Sequence, residues 1–272
     1  MLKSVFSEEK IECVGILPFS ECRLRRSDLI ERRGVSADGI RSAILFLIPY
    51  YVKDDGKSNI SLYARSGDYH VYSDALFERI LPKLEMHYGE RFLGFADKSP
   101  IEENVAASMA GLGKLGDNYM LINERYGSFV FIAEILSTAE PALLGWDGNI
   151  REPSYCMHCG ACKRACPMCL DGMPCLSAVT QKKGELMPEE RAYLKKYGSA
   201  WGCDLCQLAC PLNREVLRQG METPIDFFRK ERIAYLTTET LGAMSDADFK
   251  RRAFSWRGKA TLMRNLELLS EE

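Results

Sequence analysis

Apolar residues in the first 150 positions fall into short blocks with different periods. Residues 40–51 contain the unbroken run Ala43-Ile44-Leu45-Phe46-Leu47-Ile48 ahead of Pro49, which reads as a buried strand. Residues 74–88 repeat apolar side chains at Leu76, Ile80, Leu84 and Tyr88, one face of a helix that Pro82 is expected to kink or split. Ser99-Pro100-Ile101-Glu102 has the form of a helix start, with Ser99 as N-cap, Pro100 in the first turn and Glu102 closing a capping box. That helix would turn Ile101, Val105 and Met109 inward and end at Gly111. Residues 119–122 and 127–136 read as two strands around the polar turn Asn123-Glu124-Arg125-Tyr126. The first 150 residues are therefore expected to be mixed α/β.

Beyond the Gly/Pro/Trp stretch at 141–149 the texture changes. Cysteines crowd residues 151–220, interrupted by a charged helical stretch from Pro188 to Tyr197. Residues 221–272 form a polar helical tail whose inward side would be Leu236, Leu241, Phe249, Phe254, Trp256, Leu262 and Leu266, a pattern that suits a structural cover. Three segments follow: an α/β domain over 1–150, a cysteine-bearing domain over 151–220 and a helical tail over 221–272.

Composition changes this picture in one respect. With 272 residues, 46% of them hydrophobic, the chain can bury a core without disulfide staples, yet it carries eleven cysteines. Nine of the eleven lie between Cys156 and Cys210, so they need a reason other than stability. Met1 to Phe6 runs straight into Ser7-Glu8-Glu9-Lys10 with no apolar leader, and no apolar run approaches the roughly 20 residues that cross a bilayer. The expected location is the cytoplasm, where clustered cysteines bind metal or carry out redox chemistry. No membrane or DNA partner is expected, since a formal charge of −2 lacks the basic excess of a surface built for phosphates.

Cys156-x2-Cys159-x2-Cys162-x3-Cys166-Pro167 is the bacterial ferredoxin run: three close thiolates grip one [4Fe-4S] cube and the fourth reaches a second cube. Cys203-x2-Cys206-x3-Cys210-Pro211 repeats the later part of that run. Two structural zinc sites would also use paired cysteines, but zinc does not explain the x2-x2-x3 spacing with a closing proline. A crossed arrangement assigns Cys156, Cys159, Cys162 and Cys210 to one cluster and Cys166, Cys203 and Cys206 to the other. The eighth ligand is then Cys169 or Cys175. Cys13 and Cys22 read as small buried or half-buried hydrophobes, and His158 as a local hydrogen-bonding residue. His87 has no partner motif.

Gly111-Leu112-Gly113-Lys114-Leu115-Gly116 matches G-x-G-x-x-G but follows a helix and precedes a strand, the reverse of the dinucleotide fingerprint. Asp68-x-His70 starts like a cobalamin-ligating loop, but Ser73 stands where that loop needs glycine. Several stretches in one order do resemble the epoxyqueuosine reductase family, cobalamin-dependent iron-sulfur enzymes related to reductive dehalogenases. They are residues 63–70 (Tyr-Ala-Arg-Ser-Gly-Asp-Tyr-His), 97–102 (Asp-Lys-Ser-Pro-Ile-Glu), 110–113, Gly127-Ser128 ahead of Glu134-Ile135-Leu136, and the cluster segment 202–214. Cys175-Leu176-Ser177 resembles the family's lone-cysteine segment, which selects Cys175 over Cys169.

The resemblance implies a nitroreductase-like α/β domain that holds cobalamin, followed by a ferredoxin-like domain with two [4Fe-4S] clusters. It further implies that an external low-potential donor feeds electrons through the clusters to the corrinoid, reducing epoxyqueuosine to queuosine in tRNA. Asp97 matches the family's proton donor, and Tyr63, Ala64, Asn118, Ser128 and Asp204 match positions around the corrin. The Asp97 carboxyl would be suited to this role if a covered pocket raised its proton affinity. The chain departs from the family at Lys114 and Asp117, where an aromatic or apolar residue and a lysine are usual. Arg264-Asn265-Leu266 resembles the point where the family's tRNA-gripping helical repeats begin, and a short form without those repeats is expected. Two other functions fit the same residues: a reductase of this fold acting on another small molecule, and a two-cluster electron carrier.

Overall fold

Residues 43–48 are apolar at every position because both faces of their strand are covered. The computed structural model describes residues 1–54, 56–168 and 175–271. By internal contacts the chain forms two compact units, Met1–Pro49 with Tyr72–His158 and Tyr50–Val71 with Cys159–Glu272.

The first unit is built on an antiparallel sheet of order β1-β2-β6-β3, where β1 is Val14–Pro18, β2 Ser42–Pro49, β3 Phe92–Ala96 and β6 Val130–Ser137. Alternation along β2 sends Ala43, Leu45 and Leu47 to one face, where they pack with Leu93, Phe95 and Leu136 and with Ala106 and Ala107 of the helix Glu103–Met109. Phe46 points the other way, its ring 4.9 Å from that of Phe6 and 6.3 Å from that of Phe77 on the helix Tyr69–Tyr88. Pro82 lies inside this helix without splitting it. A second pairing, β4 (Lys114–Leu115) with β5 (Leu121–Ile122), forms a small hairpin. The turn between β5 and β6 is held by the Asn123 side chain, whose Oδ1 accepts the amides of Arg125 and Tyr126.

Two details differ from the periodicity. The helix expected from Pro100 starts at Glu103. Ile101 is instead bridged to Leu24 and the Pro100 carbonyl accepts the amides of Arg25 and Arg26, so this stretch is held extended. Its inward residues are Ala106, Ala107 and Ser108, with Val105 and Met109 half-buried. The helix does end at Gly111, whose φ of 78° allows its amide to reach the Ser108 carbonyl and that of Leu112 the Ala107 carbonyl.

The second unit is helical. Leu176–Thr180, Pro188–Tyr197 and Lys259–Ser270 pack on one another around Leu176, Val179, Leu186, Leu194 and Leu268. A neighbouring core gathers Ile60, Ala64, Trp201, Leu236, Leu241, Phe249, Phe254, Leu262 and Leu266. Fully buried Asn265 ties these parts together by donating to the Thr180 and Ala200 carbonyls. Trp256, expected on the inward side, is 55% exposed, with the Arg257 guanidinium over its ring. The Ala253–Ser255 turn ahead of it resets the helical phase, so one period does not run through the tail. Among the described residues, no helix is long and apolar enough to cross a membrane.

Candidate metal centres and active site

The two halves of the cysteine pattern form matching local structures in the second unit. Cys162 lies on the short helix Ala161–Ala165 and Cys206 on Leu205–Ala209, and these helices pack on each other. Each helix ends in a cysteine followed by proline: Cys166 at φ −77°, ψ 120° and Cys210 at φ −67°, ψ 125°. The proline has no amide to continue either helix, so both chains turn out at the sulfur-bearing residue. Gly160, at φ 70°, makes the left-handed step into the first helix, and Asp204 precedes the second.

None of the ten described cysteines is in a disulfide. Cys203 is half-buried, and burial pushes its thiol up to about 12, with Cys175, Asp204 and Cys206 near enough to raise it further by like charge. Cys166 and Cys203 also pack against the same small core. The structure thus brings Cys175, Cys203 and Cys206 into one neighbourhood and sets Cys166 and Cys203 against shared walls. Thiols crowded in this way resist ionising together unless a cation neutralises them, which is the donor chemistry of an iron-sulfur site. Cys169 lies outside the described residues. Cys156 lies two residues before His158, the last residue of the first unit, and Cys159 begins the second segment of the second, while Cys162 and Cys210 stand on the helix and helix end just described. In the first unit, His158 Nδ1 lies 2.7 Å from an Asp117 carboxylate oxygen, and both groups are close to Cys156.

A cavity of about 150 Å3 in the second unit is lined by Ser61, Arg65, Gly202, Cys203 and Asp204 among others. The half-buried Asp204 carboxylate accepts from the Ser61 hydroxyl at 2.6 Å and the Leu62 amide at 2.9 Å. Burial raises its pKa while these donors and Arg65 oppose the rise. Tyr63 accepts from Trp201 Nε1 at 3.0 Å and Ala64 is fully buried. In the first unit Ser128 is buried and the Asn118 side chain accepts the Met120 amide at 3.4 Å. The five residues matched to a corrin are therefore divided between the units and largely committed to contacts within them. The cavity by itself is smaller than a corrinoid requires. Asp68 accepts the His70 amide and lies 2.9 Å from its ring, so the Asp68-x-His70 pair caps a helix.

Asp97 follows β3 at φ 64°, the centre of a three-residue turn closed by the Lys98 amide on the Ala96 carbonyl. A non-glycine residue in this strained turn is a mark of functional loops. Its side chain is exposed, so the chain itself does not bury this carboxyl. Burial falls instead on two glutamates that sequence pattern did not single out. Desolvation and the Asp97 charge push Glu103 up to about 7. Glu134 has no exposed surface, and burial followed by the Glu103 charge lifts it well above the carboxylate range. One signal could have found it: Glu134 alternates with Ile132 and Leu136 on the inward face of an otherwise apolar strand.

No family model matches the chain. It is 33% identical over 227 residues to an epoxyqueuosine reductase of Gloeobacter violaceus, covering 78% of this chain and 69% of that one. It is 30% identical over 254 residues to an epoxyqueuosine reductase of Cyclobacterium marinum, covering 86% and 78%. The epoxyqueuosine reductase structure from Streptococcus thermophilus shares the fold at TM-score 0.76 and 23% identity, over 98% of this chain and 79% of that one. On this similarity in sequence, the chain is an oxidoreductase and belongs to the epoxyqueuosine reductase family.

Proposed function

We propose that this protein reduces epoxyqueuosine to queuosine in tRNA, with two [4Fe-4S] clusters and cobalamin as cofactors. The observation that carries the reading is the grouping of Cys175, Cys203 and Cys206 beside the paired helices of the cysteine repeat, inside a chain of this family. Cys156, Cys159, Cys162 and Cys210 would hold one cluster and Cys166, Cys175, Cys203 and Cys206 the other. Bound cobalamin supplies a strongly reducing cobalt centre. Its support is family membership, and Tyr63, Ala64, Asn118, Ser128 and Asp204 are proposed as its surroundings.

Removing an epoxide oxygen as water takes two electrons and two protons. Asp97 is proposed to donate a proton from its carboxyl to the departing oxygen. Its exposure leaves it open to a bound substrate, and its strained turn fixes where the side chain leaves the backbone. A relative of this fold has been crystallised with an epoxyqueuosine-modified tRNA stem loop, and tRNA is proposed as the partner here. The location is proposed as cytoplasmic, the electron donor as an external low-potential carrier, and the domain organisation as a cofactor domain, a ferredoxin-like domain and a helical tail.

The test is anaerobic reconstitution with iron, sulfide and cobalamin, followed by turnover of an epoxyqueuosine-modified stem loop. About eight irons and one corrinoid per chain, with queuosine as product, are expected. A chain that takes up clusters but no corrinoid overturns the reading.

A further inference from the structure

Glu134 is fully buried and, among the described residues, neither of its carboxylate oxygens has a hydrogen-bond partner. The Ser99 hydroxyl lies close enough to favour its charged form, but that proton goes to the Ile101 carbonyl at 2.9 Å. Register fixes the position of Glu134: it pairs with Leu45 on β2 and with Phe95 on β3, both on the face covered by the helix Glu103–Met109. Glu103 opens that helix, and its Oε2 is likewise buried without a partner. Along β3, Phe95 is two residues before Asp97. Three carboxyls thus follow one another from the middle of the sheet to the proposed proton donor, each electrostatically coupled to the next.

Such a series is costly for a fold to keep. An unpaired carboxylate in an apolar layer would be far worse than a leucine, and even a neutral carboxyl without a hydrogen bond loses free energy. The other titratable groups influencing Glu134 and Glu103 are the Cys22 thiol and Asp97, and neither brings a positive charge. Burial and like charge therefore favour the protonated form of both acids.

The proposed reaction consumes two protons, while one carboxyl carries one. We propose that Glu103 returns to Asp97 the proton given up in turnover, and that Glu134 beneath it is a positioning residue that keeps Glu103 able to hold that proton. The step moves no electrons: the Glu103 O–H bond breaks, an Asp97 O–H bond forms, and the Glu103 carboxylate regains its proton from solvent at its half-exposed edge. The inference rests on Asp97 being the donor in the proposed reduction.

Two measurements test it. Infrared difference spectra of the protein without cofactors should show protonated-carboxyl carbonyl bands persisting at pH 6, one lost in Glu134→Gln and one in Glu103→Gln. With reconstituted enzyme and a modified stem loop, Glu103→Gln should slow steady-state turnover at least tenfold with KM changed less than threefold. It should also abolish the rate change centred near pH 7, and Glu103→Asp should restore part of both. Glu134→Gln, which puts a neutral side chain of the same shape in place of an acid still protonated at pH 7, should leave that rate change near pH 7. A Glu103→Gln enzyme with a wild-type pH profile, or glutamates that are both ionised at pH 7, overturns the proposal. Asp97→Asn separates the two readings: if it still forms product, Asp97 is not the donor, whatever the infrared bands show.

Discussion

Cys175 lies beside Cys203, near enough that a negative charge on either sulfur opposes ionisation of the other. Twenty-seven residues separate them in sequence, so this proximity comes from the helices Leu176–Thr180 and Leu205–Ala209 that each cysteine immediately precedes or nearly precedes. Cys175→Ser should therefore lower the iron content of reconstituted protein from about eight toward four per chain, whereas Cys169→Ser should leave it near eight. Iron analysis with electron paramagnetic resonance decides between them, and the reverse pattern would move the eighth ligand to Cys169.

How much was legible in the sequence depended on whether a residue announced itself to its neighbours. The buried run in β2 did, because both of its faces are covered and every position is apolar. β1 and β3 did not. Each is five residues long with a glycine inside, and each glycine answers a contact from a distant element. A Cβ at Gly15 would lie 2.4 Å from the Ala110 carbonyl oxygen, and one at Gly94 would meet the Phe77 ring at 2.3 Å. The same holds at the site. Spacing reveals cluster cysteines because the ligands are local, while Glu134 draws its character from β2, β3 and the Glu103–Met109 helix together. Family resemblance pointed to Asp97, but the burial expected there is found on Glu103 and Glu134.

Gly202 should tolerate no side chain. At φ 75°, a Cβ would lie 2.3 Å from the Ser61 Cβ, next to the residue that carries the Cys203 thiol. Gly202→Ala combines a left-handed backbone penalty of about 1 kcal/mol with overpacking of about 2 kcal/mol. Gly184→Ala is the control, because Gly184 has φ 77° with open space around it and should lose only the first part. Chemical denaturation of the two variants should differ by about 2 kcal/mol. Equal losses would show that the Ser61 contact relaxes freely.

Asp204 is expected to be structural as well as close to the cofactors. Asp204→Ala would leave the Ser61 hydroxyl and the Leu62 amide without their half-buried acceptor, at a cost of about 2 kcal/mol. Asp204→Asn keeps one acceptor oxygen and should lose about half as much. The comparison is made by thermal unfolding at pH 7. A loss of less than about 0.5 kcal/mol in the alanine variant would mean that water replaces the carboxylate there.

The buried glutamates give stability a pH dependence opposite in sign to that of a salt-bridged carboxylate. Glu103 is raised from its ordinary 4.5 to about 7, and Glu134 is raised further in the same direction. The folded state therefore binds more protons than the unfolded chain over this interval. Stability is fully present below pH 4.5 and is lost as pH rises through 7, by up to about 3 kcal/mol for Glu103 alone. Exposed carboxylates such as Asp147 and Glu215, held low by Arg151 and Arg218, contribute with the opposite sign, so the absolute curve mixes both. The difference between wild type and Glu134→Gln isolates the buried group. A glutamine of the same shape cannot ionise, so its unsatisfied amide adds a constant offset while the pH-dependent loss disappears. Urea unfolding between pH 5 and 9 should show the variant gaining on wild type steadily as pH rises from 5. A difference that stays flat across that range would mean that the Glu134 carboxyl ionises as readily in the folded chain as in the unfolded one.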